Sequence, residues 1–420
     1  MKFEWEYFIY LTRCGACGET PLPPSQDLDW QTLLHLAYEQ NVDSLLTLAL
    51  KKEETICPAS YLQPLIAQLR GNAIQNMRRA EGWLDLLAKA EKQGLELLVM
   101  KGLDVARFYH NPECRVANDM DLLVRPQQEQ EAFEFLQEHG FQMQARSEYS
   151  IHAVGSHPHL GVVELHVHLI SERFCRLFSA QQLNESAFEN VQRISLFGGT
   201  FQAMESTNAL LYLTFHFIKH FLYSGISMKM MFDIALFAKN TLAAVDAVQY
   251  KECLQRGNYC YFMQTVFGIM VKYGGFEKED FPLEPVENAA DMDALLENMV
   301  ESGAMGQKKE QDVQSAWMFY YYSVAKKENS QEDLANINTG QKIDFLGGLF
   351  PSAAVLSRKY PILLQKKWLY PFCWLHRLLT RGFAFLFSNR HISRRKVKEK
   401  QALSAPAQKK IELFEQFHMM

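Results

Sequence analysis

Asp119 and Asp121 stand two positions apart in DMDLLV, residues 119–124. Read as a β-strand, that spacing sends both carboxylates from one face of the chain, a few ångströms apart, because side chains alternate along a strand. Two anions so close repel each other unless a cation lies between them. A hard divalent ion such as Mg²⁺ (or Mn²⁺) suits the pair, since it takes one or two carboxylates and leaves its other positions to water and substrate phosphates. Met120, Leu122, Leu123 and Val124 are apolar and would bury the strand. Buried acids are costly unless paired or metal-bound. The competing assignment makes Asp119 a turn cap and pairs Asp121 with Arg115 or Arg125.

A second strand pattern lies in GVVELHVHL, residues 161–169. Its alternation puts Val163, Leu165, Val167 and Leu169 on one face and Glu164, His166 and His168 on the other. A carboxylate and two imidazoles then share a polar face, and the histidines are candidates for orienting a metal site. Lys101 and Gly102 follow the apolar run LELLVM. Glycine permits close backbone approach, N–H groups at a helix start attract anions, and Lys101 would add a positive charge there. That is a place for phosphates, with Arg115 a second phosphate candidate. His216 and His220, four residues apart on an expected helix, share a face. They line an acceptor pocket, hold a metal or serve as hydrogen-bonded core residues.

The elements that must position these groups can be read from periodicity. Strands are expected at 95–100, 119–124, in FQMQA after Gly140, at 161–169, and at 191–196 and 200–203 around Gly198 and Gly199. Asp27 or Asp29 can cap a helix through Leu33, Leu36 and Ala37, and a long helix containing Trp83, Leu84 and Leu87 stops at Gly94. Further helices are expected from Gly102 through His110, in EAFEFLQEH, and from Ser206 onward, with Leu210, Leu213, Phe217 and Phe221 on one and Met231, Ile234, Ala235 and Ala238 on the next. The expected class is α+β: N-terminal helices over 1–94, a small mixed sheet over 95–205, a helical domain over 206–375 and a basic tail over 376–420.

Composition narrows the function classes. Hydrophobic residues at 48% and charged residues at 22% are ordinary for a water-soluble globular chain. A net charge of −5 argues against a globally basic nucleic-acid binder, so no sequence-specific nucleic acid is expected as partner. Glu4 and Glu6 interrupt the first apolar stretch and no uncharged apolar run reaches about 18 residues, so neither a signal peptide nor a membrane span is expected, and the cytoplasm is the expected location. Eight irregularly spaced cysteines read as reduced thiols, with Cys14 and Cys17 in a Gly-containing turn. Between Arg377 and Lys400, eight cations face the single acid Glu399, just after the aromatic stretch WLYPFCWLHRLLTRGFAFLF. Weak peripheral contact with anionic membranes is expected of this tail; the aromatic stretch could equally pack on the helical half.

The run LLVMKGLDVARFYHNPECRVANDMDLLV, then VVELHVHL, then LLYLTFHFIKHFLYSGISMKMMFDIALF resembles the bacterial uncharacterised nucleotidyltransferase family, within the DNA polymerase beta-like nucleotidyltransferase superfamily. The similarity covers most of residues 95–240 and, more loosely, FPSAAVLSRKYP at 350–361. It implies a phosphate turn at Lys101 and Gly102, metal-binding acids at Asp119 and Asp121, and a third carboxylate at Glu164; it also includes His216, His220 and Asp233. It implies transfer of a nucleoside monophosphate from an NTP to an acceptor, with pyrophosphate leaving. Family members often accompany gene sets for surface polysaccharides or peptide products, which favours a sugar or small-molecule acceptor. A non-catalytic nucleotide-binding or scaffold protein that retains the fold is the alternative. Leu103 stands where the superfamily usually has Ser, and the gap to the acids is longer than common, which bears on the phosphate contacts and leaves the carboxylates untouched.

Overall fold

The computed structural model describes residues 3–115, 117, 119–146, 151–170, 181–303 and 405–419. The aromatic stretch, the cations from Arg377 to Lys400 and the segment 350–361 lie outside the described residues.

Helices α1 (Phe3–Cys17), α2 (Trp30–Glu39) and α3 (Asp43–Lys52) come first. Asp29 caps α2 by accepting from the Thr32 backbone N–H, which satisfies an N–H that the helix start leaves open. Cys14 and Cys17 both sit on α1 rather than in a turn, as free thiols. Gly15 between them is what allows α1 and α3 to touch, since a Cβ there would lie 1.8 Å from the Leu45 carbonyl oxygen. Helix α4 (Ala59–Lys92) is 34 residues long and ends at Gly94, whose φ of +84° suits glycine.

The sheet that follows has seven strands among the described residues, more than the small sheet expected. They are β1 (Leu97–Val99), β2 (Asp119–Val124), β3 (Gln142–Gln144), β4 (His152–His157), β5 (Gly161–His166), β6 (Gln192–Leu196) and β7 (Gly199–Ala203). Their order is β3-β4-β5-β2-β1-β7-β6. Strand β2 is central, antiparallel to β1 and parallel to β5, and the sheet is mixed.

Between β1 and β2 the helix expected from Gly102 shrinks to α5, Leu103–Ala106. The chain then turns back through Phe108 and Tyr109, which pack onto a later helix. Helix α6 (Glu129–Glu138) follows β2, and α7 (Gln181–Ser186) precedes β6.

One face of the sheet builds a core with the helices around it. Met120, Leu122 and Val124 of β2 and Val163 and Leu165 of β5 bury there against Trp83, Leu84 and Leu87 of α4 and Phe135 and Leu136 of α6. Fully burying such a side chain contributes roughly 1.5–3 kcal/mol, so β2 is pinned in register, and a slip of one residue would turn its acids into the core. The expected boundary near residue 94 thus falls within a shared core, and residues 1–313 with 412–419 group as one compact unit.

Helices α8 (Ser206–Tyr223), α9 (Met228–Thr241), α10 (Ala247–Arg256), α11 (Cys260–Lys272) and α12 (Ala289–Ser302) carry the apolar stripes expected. Leu210, Leu213, Phe217, Phe221, Met231, Ile234, Ala235 and Ala238 are all buried. In the same unit, Phe414 and Phe417 of the C-terminal segment pack against Phe221. No described helix is long and apolar enough to cross a membrane.

Candidate metal centre

The parallel pairing of β2 and β5 sets Asp121 directly opposite Glu164. Asp119, Asp121 and Glu164 each bring one carboxylate oxygen to within 4.8 Å of the others. At that spacing two unit charges repel by about 3–4 kcal/mol at an effective dielectric of 20, so the cluster needs cations. Two lie within the site. Lys101 Nζ is 3.2 Å from Asp121 and 3.6 Å from Asp119. His166 Nε2 lies 3.3 Å from Asp121 Oδ1 and 3.2 Å from Glu164 Oε2.

These contacts govern the protonation states. Burial favours the neutral form of Asp121, yet Lys101 and His166 outweigh it and hold the carboxyl at about 2. Burial works against a charge on His166 and on Lys101, and the neighbouring acids reverse both effects and raise their pKa values. Glu164 is lowered, chiefly by its hydrogen bond with His166. The cluster therefore holds Asp121 and Glu164 toward their charged forms beside the Lys101 ammonium, and His166 toward its protonated form.

The carboxylates fit a divalent ion on the structure's own terms. Asp121 Oδ2 is buried and accepts no well-aligned hydrogen bond, having only the Lys101 ion pair, and a buried acceptor left this way has capacity for another ligand. Asp119 is part exposed. With Gly102, Arg115, Asn76, Arg79 and Trp83 it also lines a small cleft on the α4 side of the sheet.

Several expected roles come out differently. Asp121 pairs with neither Arg115 nor Arg125: Arg125 pairs with Glu96, and Arg115 is buried against Asp233 of α9. Arg115 donates through Nε and Nη2 to the two oxygens of Asp233 at 2.8 and 2.7 Å, and through Nη1 to the Gly102 carbonyl oxygen. Tyr109 Oη donates to the same carboxylate. Arg115 and Asp233 thus clamp the approach to β2 onto α9, and Arg115 also lines the cleft beside Asp119. Gly102, at φ +71°, starts a helix of only four residues. Lys101 is neither solvated nor free; it bridges the acids.

His168 lies past the end of β5 and is exposed. Its expected place is taken by His152 of β4, paired opposite His166 across the strands, with its ring centroid 4.8 Å away. His216 and His220 of α8 contact each other edge to face, and neither belongs to a set of three ligand groups among the described residues. Burial keeps both neutral, pushing His220 down to about 3. Periodicity did not point to Tyr212 or Lys219, which share a face of α8 with His216. Burial and then the acids of the cluster raise Tyr212, while burial lowers Lys219 against the pull of Glu164. The signal was available: a lysine amid the apolar residues of FHFIKHF needs an anion nearby.

A family model described as uncharacterised nucleotidyltransferase matches residues 26–264, more than half of the chain. That span contains every residue of the cluster and both halves of the Arg115–Asp233 clamp. Comparisons with curated proteins and with solved structures find no match.

Proposed function

Since the chain belongs to the uncharacterised nucleotidyltransferase family, we propose that it transfers a nucleoside monophosphate from an NTP to the hydroxyl of a small-molecule or sugar acceptor, at Asp119, Asp121 and Glu164, in the manner of polymerase beta-like enzymes. The observation that carries this reading is the convergence of the three carboxylates. They would hold Mg²⁺ or Mn²⁺, which when bound neutralises the phosphates and makes the acceptor oxygen a better nucleophile.

The chain's own residues supply the rest. Lys101, at the edge of the cluster, turns from the carboxylates to the triphosphate when a divalent ion takes over their charge. Lys219 faces the cluster from α8 and adds a second cation on the phosphate side. Tyr212 and His216, on the same face of α8 as Lys219, stay uncharged near the acids. In the reaction the acceptor oxygen bonds to the α-phosphorus, and the bond from that phosphorus to the bridging oxygen of the β-phosphate breaks. Pyrophosphate leaves with that electron pair, and a carboxylate of the cluster takes the acceptor's proton.

Incubation with each α-labelled NTP, Mg²⁺ or Mn²⁺ and fractionated cell extract tests the proposal. The expected result is pyrophosphate release coupled to a labelled acceptor, absent in Asp119→Asn, Asp121→Asn and Glu164→Gln. A scaffold that retains only the fold would bind NTP and release nothing.

A further inference from the structure

The polar face of β4 and β5 carries more ligand groups than the three carboxylates require. His152, Glu164 and His166 each bring one donor atom into a common set, within 4.8 Å of one another. His166 Nε2 is 3.2 Å and His152 Nε2 is 4.0 Å from the same oxygen, Glu164 Oε2. Around an ion bound at about 2.0–2.2 Å, neighbouring ligand atoms stand roughly 3–3.5 Å apart. The His166–Glu164 edge already has that length, and the His152 edge reaches it with a movement below about 1 Å.

One imidazole between two acids is explained by hydrogen bonding alone. A second imidazole aimed at the same carboxylate oxygen is redundant for that purpose, and it is an ordinary feature of a nitrogen-containing metal site. The strand register makes the arrangement, since His152 is the cross-strand partner of His166 and Glu164 lies two residues before His166 on the same face. His152 and Glu164 are both part exposed, so the set is not sealed from solvent.

We propose that His152, Glu164 and His166 form a second cation site, sharing Glu164 with the all-oxygen set and taking a divalent transition ion of the Mn²⁺, Co²⁺ or Zn²⁺ class in preference to Mg²⁺. Imidazole suits such ions, whereas Mg²⁺ favours oxygen ligands and gives up its water reluctantly. The proposal rests on reading Glu164 as a cation ligand. The two sets then differ in kind: Asp119 belongs only to the oxygen set and His152 only to the nitrogen set.

The test uses the full chain, freed of metal by chelation and titrated with Co²⁺ in excess Mg²⁺, with the visible d–d spectrum as readout. A parallel Mn²⁺ sample is measured for electron-spin-echo coupling to imidazole nitrogen. The expected result is one Co²⁺ retained against Mg²⁺, with nitrogen coupling present. His152→Ala should weaken Co²⁺ about tenfold or more while melting as the parent does, and Asp119→Asn should retain Co²⁺. His152→Gln, which preserves bulk on the strand, serves if the alanine variant melts early. Loss of Co²⁺ to Mg²⁺, absence of nitrogen coupling, or indifference to both His152 variants overturns the proposal. Nitrogen coupling in a protein that transfers no nucleotide would uphold this site and remove the functional reading, whereas transfer without nitrogen coupling would do the reverse.

Discussion

Lys101 is the residue to which the structure gives partners that the sequence did not name. Between a strand end and a glycine it reads as a phosphate contact or as a solvated side chain, but its ammonium sits between Asp119 and Asp121. Sequence spacing made the two acids legible, because a period of two needs no partner to be seen. The closing of β1 against β2, which brings Lys101 to them, is a long-range contact that no local pattern encodes. Lys101→Met is expected to lower the melting temperature of the metal-free protein and to raise the Kd for NTP with Mg²⁺, both measurable on one preparation. Asp121→Asn is expected to cost the metal-free protein about 2 kcal/mol at neutral pH, the linkage equivalent of a carboxyl held near 2. Its folded pKa is depressed, so this contribution is present above about pH 4 and is lost as pH falls toward 2. Denaturant unfolding of parent and variant at pH 7 and pH 2.5 checks it, with the difference shrinking at the lower pH.

At the scale of elements, β2 was legible to its bounds and β4 was not. The sequence DMDLLV alternates against an apolar neighbour on each side, whereas HAVGSH has His at both ends and Gly155 inside. Gly155 is there because Met143 of β3 lies over it, where a Cβ would meet the sulfur at 2.2 Å; that is a tertiary reason, invisible in the segment itself. With β4 unseen, His152 could not be named, and His168 took its place by strand periodicity carried two residues too far. The helix expected from Gly102 is short because Tyr109 is drawn to Asp233 and Phe108 packs edge-on against Phe237. Breaking this clamp with Arg115→Met leaves Asp233 buried without its cation, and a loss of about 3–5 kcal/mol is expected. Chemical denaturation reads it, and an unchanged midpoint would show that the clamp contributes nothing. On α8, His220 is half-buried and neutral, its ring nitrogen Nδ1 2.6 Å from Ser224 Oγ. Its folded pKa, near 3, is below the unfolded value, so stability falls as pH drops from about 6.5 toward 3. His220→Asn is expected to flatten that fall by no more than about 5 kcal/mol in total, followed by melting temperature across pH.

Across the whole described unit, one helix and one sheet decide where the chemistry can be. Helix α4 buries Trp83, Leu84 and Leu87 on the apolar face of the sheet, and Trp83 Nε1 donates to the Leu160 carbonyl oxygen beside the start of β5. The opposite face is left to the acids and to α8. The α+β class and the pairing of Asp119 with Asp121 follow from strand patterns, Glu164 joins them only through the family resemblance, and the seven-strand order and the shared core across residue 94 depend on packing between distant segments. On the proposed function, Asp119, Asp121 and Glu164 bind an NTP through a divalent ion. Calorimetric titration of the full chain with a non-hydrolysable NTP analogue, with and without Mg²⁺ or Mn²⁺, tests this without knowledge of the acceptor. Binding is expected to require the divalent ion and to be lost in Asp121→Asn; equal binding without the ion, or binding untouched by Asp121→Asn, would overturn the assignment.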